Sequence, residues 1–135
     1  MNRKEFLSLL GIGAAAACAQ GLTGCKNDLV NPPTNVDFTL DLTASINAPL
    51  NANGGFIYRD GVIVARTVAG KYVAVSQACT HQGNDVVYDA GSNEFHCPAH
   101  GSNFATNGAV INGPADTGLM QYNPKLTGTS LRVYS

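Results

Sequence analysis

The chain has no tryptophan, only four cysteines and little charge of either sign: Asp, Glu, Lys and Arg make up 13% of its 135 residues, against a usual quarter. Eight Lys and Arg against nine Asp and Glu leave a formal net charge of -1, so there is no basic footprint and no nucleic-acid partner is expected. With 44% hydrophobic residues and so little net charge, intrinsic disorder is excluded. The length is that of one domain with a single core, not of a large multidomain enzyme. After residue 36 no window carries a sustained helical repeat, and no internal repeat or low-complexity tract is found. Glycine is plentiful instead, with 15 residues, in the company of many Thr, Asn and Ser. That mixture suits short strands joined by turns.

The amino terminus reads as an address. Arg3 and Lys4 precede an apolar run that begins at Phe6 and continues through Ala14 to Ala17, the layout of a secretory signal, here residues 1–24. Leu22-Thr23-Gly24-Cys25 resembles the bacterial lipoprotein signal, which assigns lipidation to Cys25; Cys18 lacks the large aliphatic residue three places upstream. The competing reading is an uncleaved anchor, since the run from Phe6 to Gly24 approaches the roughly 20 residues of a spanning helix. Arg3-Lys4-Glu5-Phe6-Leu7 is similar to a twin-arginine signal with Lys in the second position, and Sec export is the alternative route. Residues 25–36 then form a lipid-anchored tether stiffened by Pro32-Pro33, whose eleven residues from Lys26 to Val36 reach about 36 Å if extended. The expected location is the bacterial cell envelope, on a membrane through the lipid at Cys25, facing the periplasm or exterior.

From residue 37 to 135 the pattern is strands and turns. Asp37 to Leu42 alternates polar and apolar residues, as a half-buried strand does. Phe56–Arg59 and Val62–Ala65 flank Asp60-Gly61, a two-residue hairpin signal. Val64–Arg66 and Tyr72–Val75 bracket a second turn, Val86–Tyr88 and Glu94–His96 a third. Asn107-Gly108 turns the chain before Ala109–Ile111, and Leu131–Tyr134 closes it. The fold class is all-β, a small antiparallel sandwich or barrel.

Two loops carry the chemistry: Cys79-Thr80-His81-Gln82-Gly83 and Cys97-Pro98-Ala99-His100-Gly101-Ser102, each following a strand. Each offers one thiolate and one imidazole, as C-x-H and C-x-x-H, and four such ligands on neighbouring loops point to metal. Zinc is open to any set of two Cys and two His, but structural zinc sites group like with like. Mixed loops suit a binuclear centre better, one iron taking Cys79 and Cys97 and the other His81 and His100. His96 adjoins Cys97 but points to the opposite face of its strand, so it reads as surface or packing. Asp85, Asp89 and Glu94 are scattered and form no acid–base pair. The five tyrosines read as packing, and His100 beside Ser102 is no hydrolase pair if its imidazole binds metal. No catalytic residue and no independent substrate site are expected.

The segments CTHQG and CPAHGS, with Asn112-Gly113-Pro114-Ala115, resemble the Rieske iron–sulfur family over roughly Gly61 to Val133. The resemblance implies an antiparallel β domain with a smaller rubredoxin-like subdomain, about residues 78–111. It implies a [2Fe-2S] cluster held by Cys79, His81, Cys97 and His100, with Gly113-Pro114-Ala115 looping over it. Two departures stand out. Respiratory and photosynthetic members place a second cysteine in each loop and join the pair; Asn84 and Ala99 occupy those positions here. High-potential members also set a serine hydroxyl on a bridging sulfide and a tyrosine hydroxyl on a ligand sulfur. Ser102 matches the first, while Phe104 stands in the tyrosine's place with no hydroxyl to donate. The implied potential lies inside the Rieske span of about -150 to +300 mV and below its upper end.

A cluster with two thiolates and two neutral imidazoles is neutral when oxidised and singly negative when reduced, so electron transfer is expected to couple to a proton. The leading function is one-electron transfer in a membrane-anchored envelope protein. Its partner would be a redox protein such as a cytochrome or a membrane quinol-oxidising subunit, docking near His81 and His100. The alternatives are a Rieske subunit of a larger quinol–cytochrome or molybdenum oxidoreductase, and a non-redox zinc-binding envelope lipoprotein. The length speaks against the catalytic subunit of a Rieske oxygenase.

Overall fold

The computed structural model describes residues 31–135; the expected signal, the lipidation site Cys25 and the start of the tether lie outside the described residues. Ten strands follow one another: β1 (Asp37–Asp41), β2 (Phe56–Arg59), β3 (Val62–Arg66), β4 (Tyr72–Ser76), β5 (Val87–Asp89), β6 (Glu94–His96), β7 (Asn103–Phe104), β8 (Val110–Asn112), β9 (Gln121–Thr127) and β10 (Ser130–Tyr134). A short 3₁₀ helix, Ser45–Asn51, lies between β1 and β2. The strands make a six-stranded sheet in the order β1-β10-β9-β4-β3-β2 and a four-stranded sheet in the order β5-β6-β7-β8. Every pairing is antiparallel. The small sheet is an insertion: the chain leaves the large sheet after β4, builds β5 to β8, and returns as β9 beside β4.

The pleat explains both cores. In β1, Phe38 and Leu40 are buried and Asp37, Thr39 and Asp41 are exposed, the alternation of a strand with one wet face. In β3 the run Val62-Ile63-Val64-Ala65 is buried on both faces. Val62 and Val64 join a core with Leu40, Leu50, Ala74, Tyr122, Leu131 and Val133. Ile63 and Ala65 face the other way, into a core with Val75, Val86, Phe95 and Phe104. The large sheet thus carries one core on each face, and the second is shared with the small sheet. Arg59 lies 5.2 Å from the ring centroid of Phe38, which brings the edge strands β1 and β2 together and curls the sheet toward a barrel.

The β2–β3 turn has Asp60 at φ 52° and Gly61 at φ 84°, the paired left-handed conformation that a two-residue hairpin requires. Three features escape the hydrophobic pattern. β9 has only Tyr122 buried, so it shows no alternation, and Pro124 argues against a strand. The proline is tolerated because β9 meets β4 only at Gln121 and Tyr122, leaving one side of the strand unpartnered farther on. β7 is two residues long and the 3₁₀ helix contains Pro49, both below any periodic signal. The end of the expected tether is also already part of the domain. The Pro33 carbonyl accepts a hydrogen bond from the Tyr122 hydroxyl at 2.7 Å, Val36 is buried, and Val36 N–H donates to Ser135 Oγ at 3.0 Å. Among the described residues no helix is long and apolar enough to cross a membrane.

Candidate metal centre

The two mixed loops fold to one plan. In the first, Cys79 N–H donates to Asn84 O at 2.7 Å and Gly83 N–H donates to Cys79 O at 2.7 Å. In the second, Cys97 N–H donates to Ser102 O at 2.8 Å and Gly101 N–H donates to Cys97 O at 2.9 Å. Each loop closes on its cysteine with a glycine four residues on, Gly83 at φ 81° and Gly101 at φ 86°. The matching closures point both cysteines inward. Cys79 and Cys97 are fully buried free thiols, whereas His81 and His100 are exposed. The two imidazoles meet edge to face with ring centroids 4.8 Å apart and planes at 84°. Each pair draws one member from each loop.

Burial pushes the Cys79 thiol above its ordinary range, and Cys97, close enough to hydrogen-bond it, pushes the same way; the backbone N–H groups of His81 and Gln82 oppose both. A buried thiol that resists ionising, with a second buried sulfur beside it, is an environment in which a cation supplies the missing stabilisation. Among the described residues no three His, Cys, Asp or Glu side chains gather around one ion-sized point. The donors fall into two pairs instead, sulfur inside and nitrogen outside, a division that fits two metal ions better than one tetrahedral zinc.

A third loop clamps the first two. Ala115 N–H donates to the buried Ser102 Oγ at 2.9 Å, which leaves that hydroxyl's own hydrogen free to donate into the site. Thr80 Oγ1 donates to Thr117 O at 2.5 Å, tying the first loop to the same segment. A Cβ on Gly108 would come 2.2 Å from Leu119 O, so only glycine lets the turn between β7 and β8 approach the end of this segment. Pro114 is exposed and Phe104 is fully buried in the core that contains both thiols. Asn84 and Ala99 are both exposed. Sequence reasoning missed Thr80 and Thr117, whose partnership spans the small sheet and leaves no local signal.

The remaining candidates have other work. His96 Nδ1 lies 2.7 Å from Asn103 Oδ1. Asp85 accepts from Gln77, and Asp89 accepts from Gly91 N–H and Ser92 in a turn. Tyr58, Tyr72 and Tyr122 donate to the carbonyls of Val86, Leu50 and Pro33, and Tyr88 to Asn93, so these four serve packing. Burial pushes Tyr122 up to about 12 and raises Tyr58 as well, with Asp85 adding to the latter.

A two-sheet antiparallel domain with paired thiols and paired imidazoles at the loop tips of its smaller sheet is the architecture of an iron–sulfur protein. Residues 45–123 match the family model for the Rieske [2Fe-2S] domain. The chain is 30% identical to the cytochrome b6-f complex iron-sulfur subunit of Prochlorococcus marinus (strain AS9601), over 88% of this chain and 76% of that protein. It is 29% identical to the corresponding subunit of Chlorobaculum thiosulfatiphilum, over 98% of this chain and 75% of that one. Among solved structures, the plasma membrane Rieske protein of Synechocystis PCC 6803 is 33% identical with a TM-score of 0.56, covering 65% of this chain and 93% of its own. The ferredoxin of carbazole 1,9a-dioxygenase from Nocardioides aromaticivorans IC177 is 25% identical with a TM-score of 0.56, covering 76% and 98%. The chain belongs to the Rieske [2Fe-2S] domain family. It is an electron-transfer protein carrying a Rieske-type [2Fe-2S] cluster.

Proposed function

We propose that Cys79 and Cys97 hold one iron of the cluster and His81 and His100 the other, in a protein held on the envelope membrane by lipid at Cys25. The observation that carries the ligand assignment is the split of the donors into a buried thiol pair and an exposed imidazole pair, each with one member from either loop. The cluster supplies a reversible one-electron couple. The protein's part is to bury the two thiolates away from water while leaving the two imidazoles at the surface, where a partner can approach. Ser102 would donate to a cluster sulfur and so favour the reduced form; Phe104 would supply bulk without a hydrogen bond, keeping the potential below the upper end of the Rieske span.

The partner is a redox protein such as a cytochrome or a membrane quinol-oxidising subunit, docking over His81 and His100. A place as a subunit in a larger complex is the second reading, favoured by the complex subunits among the relatives. The apolar run before Cys25 and the Leu22-Thr23-Gly24-Cys25 motif support the anchor. The test is an EPR spectrum of the full chain in its native membranes, oxidised and then reduced with dithionite. A rhombic signal in the reduced state, abolished in both His81→Ala and His100→Ala, is expected; a signal that survives either change, or stoichiometric zinc, overturns the assignment. Cys25→Ala should move the protein from the membrane to the soluble fraction, and co-purification from detergent separates a carrier from a subunit.

A further inference from the structure

Three polar side chains stand in one row across the outer face of the small sheet. His96 on β6 is directly opposite Asn103 on β7, and Asn103 is directly opposite Asn112 on β8. The neighbouring row, Phe95 and Phe104, faces inward and is fully buried. The outer row is hydrogen-bonded from end to end. His96 Nδ1 lies 2.7 Å from Asn103 Oδ1, and Asn103 Nδ2 donates to Asn112 Oδ1 at 2.8 Å. Asn112 Nδ2 then donates twice, to Gly101 O at 3.0 Å and to Gly113 O at 3.1 Å.

Those last two acceptors fix the direction of the whole row. Backbone carbonyls only accept, so the atom of Asn112 facing them is its amide nitrogen. Its oxygen therefore faces Asn103, which must present nitrogen there and oxygen to His96. The hydrogen of His96 must then sit on Nδ1. No step in this chain can be reversed without setting donor against donor or acceptor against acceptor. The two carbonyls belong to residues that matter: Gly101 follows His100 and closes the second loop on Cys97, and Gly113 opens the loop that caps Ser102. Cys79 and Cys97 form no disulfide, so no disulfide braces these two loops.

We propose that Asn112, aligned by Asn103 and His96, is a positioning residue that holds the second cluster loop and the capping loop in register and so sets the orientation of the His100 ring. The inference rests on the ligand assignment above. It predicts that the row acts as one unit, and that an acceptor cannot replace the donor of Asn112.

The test uses the holoprotein in three measurements: amide exchange across residues 97–103, the EPR line shape of the reduced cluster, and the rate at which the cluster bleaches in mild denaturant. Asn112→Leu and the near-isosteric Asn112→Asp should each raise exchange there about fivefold, the scale of one or two water-touched hydrogen bonds. Both should also broaden the EPR lines and hasten bleaching, while β1, β9 and β10 keep their protection. His96→Leu should act in the same direction, His96→Gln, which keeps a donor, should be near wild type, and His96→Leu with Asn112→Leu should be no worse than Asn112→Leu alone. Unchanged exchange and line shape in Asn112→Asp, additive effects in the double variant, or loss of protection throughout the chain would each overturn the proposal. A wild-type protein lacking the rhombic signal would instead sink the ligand assignment, which separates the two failures.

Discussion

The large sheet is built from strands of four to seven residues, the small one from strands of two or three, and the two hold themselves together differently. The first core is made of Val, Leu, Phe and Ala with one buried tyrosine, and a strand such as β1 contributes two side chains to it. A strand of two residues offers one side chain per face, so β7 supplies Phe104 and nothing more to the interior. The second core makes up the deficit with Phe95, with residues borrowed from β3 and β4, and with the two thiols themselves. Apolar burial suffices for the large sheet; the small one counts the thiols of Cys79 and Cys97 among its core.

The strongest way to break that comparison is to remove a sulfur. Cys97→Ala should abolish the reduced EPR signal entirely under the proposed ligation, and amide exchange should rise through β5 to β8 while the large sheet keeps its protection. Simultaneous loss of protection in both sheets would show one cooperative unit and no division of labour.

Next in size come the aromatic and aliphatic anchors. Phe95→Ala and Leu131→Ala each delete a fully buried side chain, costing about 3–5 and 2–5 kcal/mol. They should differ in where the damage appears. Phe95 shares its core with Cys79 and Cys97, so its loss should shift the reduction potential, measured by redox titration; Leu131 lies in the other core and its loss should leave the potential unmoved. Equal shifts would mean that the cluster feels the whole domain.

Smaller and more pointed is Ser102→Ala. It strands the buried Ala115 N–H without its acceptor, a loss of about 1–3 kcal/mol seen in thermal unfolding. It also removes the proposed hydrogen bond to the cluster and should lower the potential, whereas Phe104→Tyr should raise it if the new hydroxyl reaches a sulfur. A normal potential in Ser102→Ala would confine that residue to holding the capping loop.

Most of the large sheet is legible in the sequence because apolar burial writes a period into the chain: the alternation of Asp37 to Leu42 and the Asp60-Gly61 turn each correspond to an element. β9 is illegible because its sole buried residue, Tyr122, makes no pattern and its neighbours serve the ladder through their backbone. The four metal-ligand candidates are legible by residue type and spacing, and the chain does bring them into adjacent pairs. The supports are not. Thr80 meets Thr117, and Asn103 and Asn112 meet across a register that no local rule encodes. Polar side chains in turns are common, and only the fold says which carbonyls they reach.

The smallest effect belongs to the far edge of the large sheet. Arg132 Nε and Nη2 donate to the two carboxylate oxygens of Asp37 at 2.9 and 2.7 Å, a bidentate pair diagonal across β10 and β1. This hydrogen bonding holds the Asp37 carboxyl below its ordinary value of 3.8. A carboxyl depressed in the folded state stabilises the fold fully at pH values above the unfolded one, and that contribution disappears as pH falls through the folded value. Both side chains are about half exposed, so water and salt screen the pair and the gain is slight. The melting temperature of Asp37→Asn should therefore fall just below wild type at neutral pH and low salt, and the two should converge as the pH drops below 3.8. Added salt should narrow the gap, while the reduced EPR signal should be the same in both proteins at every pH where both remain folded. A change in that signal would join the edge of the large sheet to the cluster, against the separation drawn here between the two sheets.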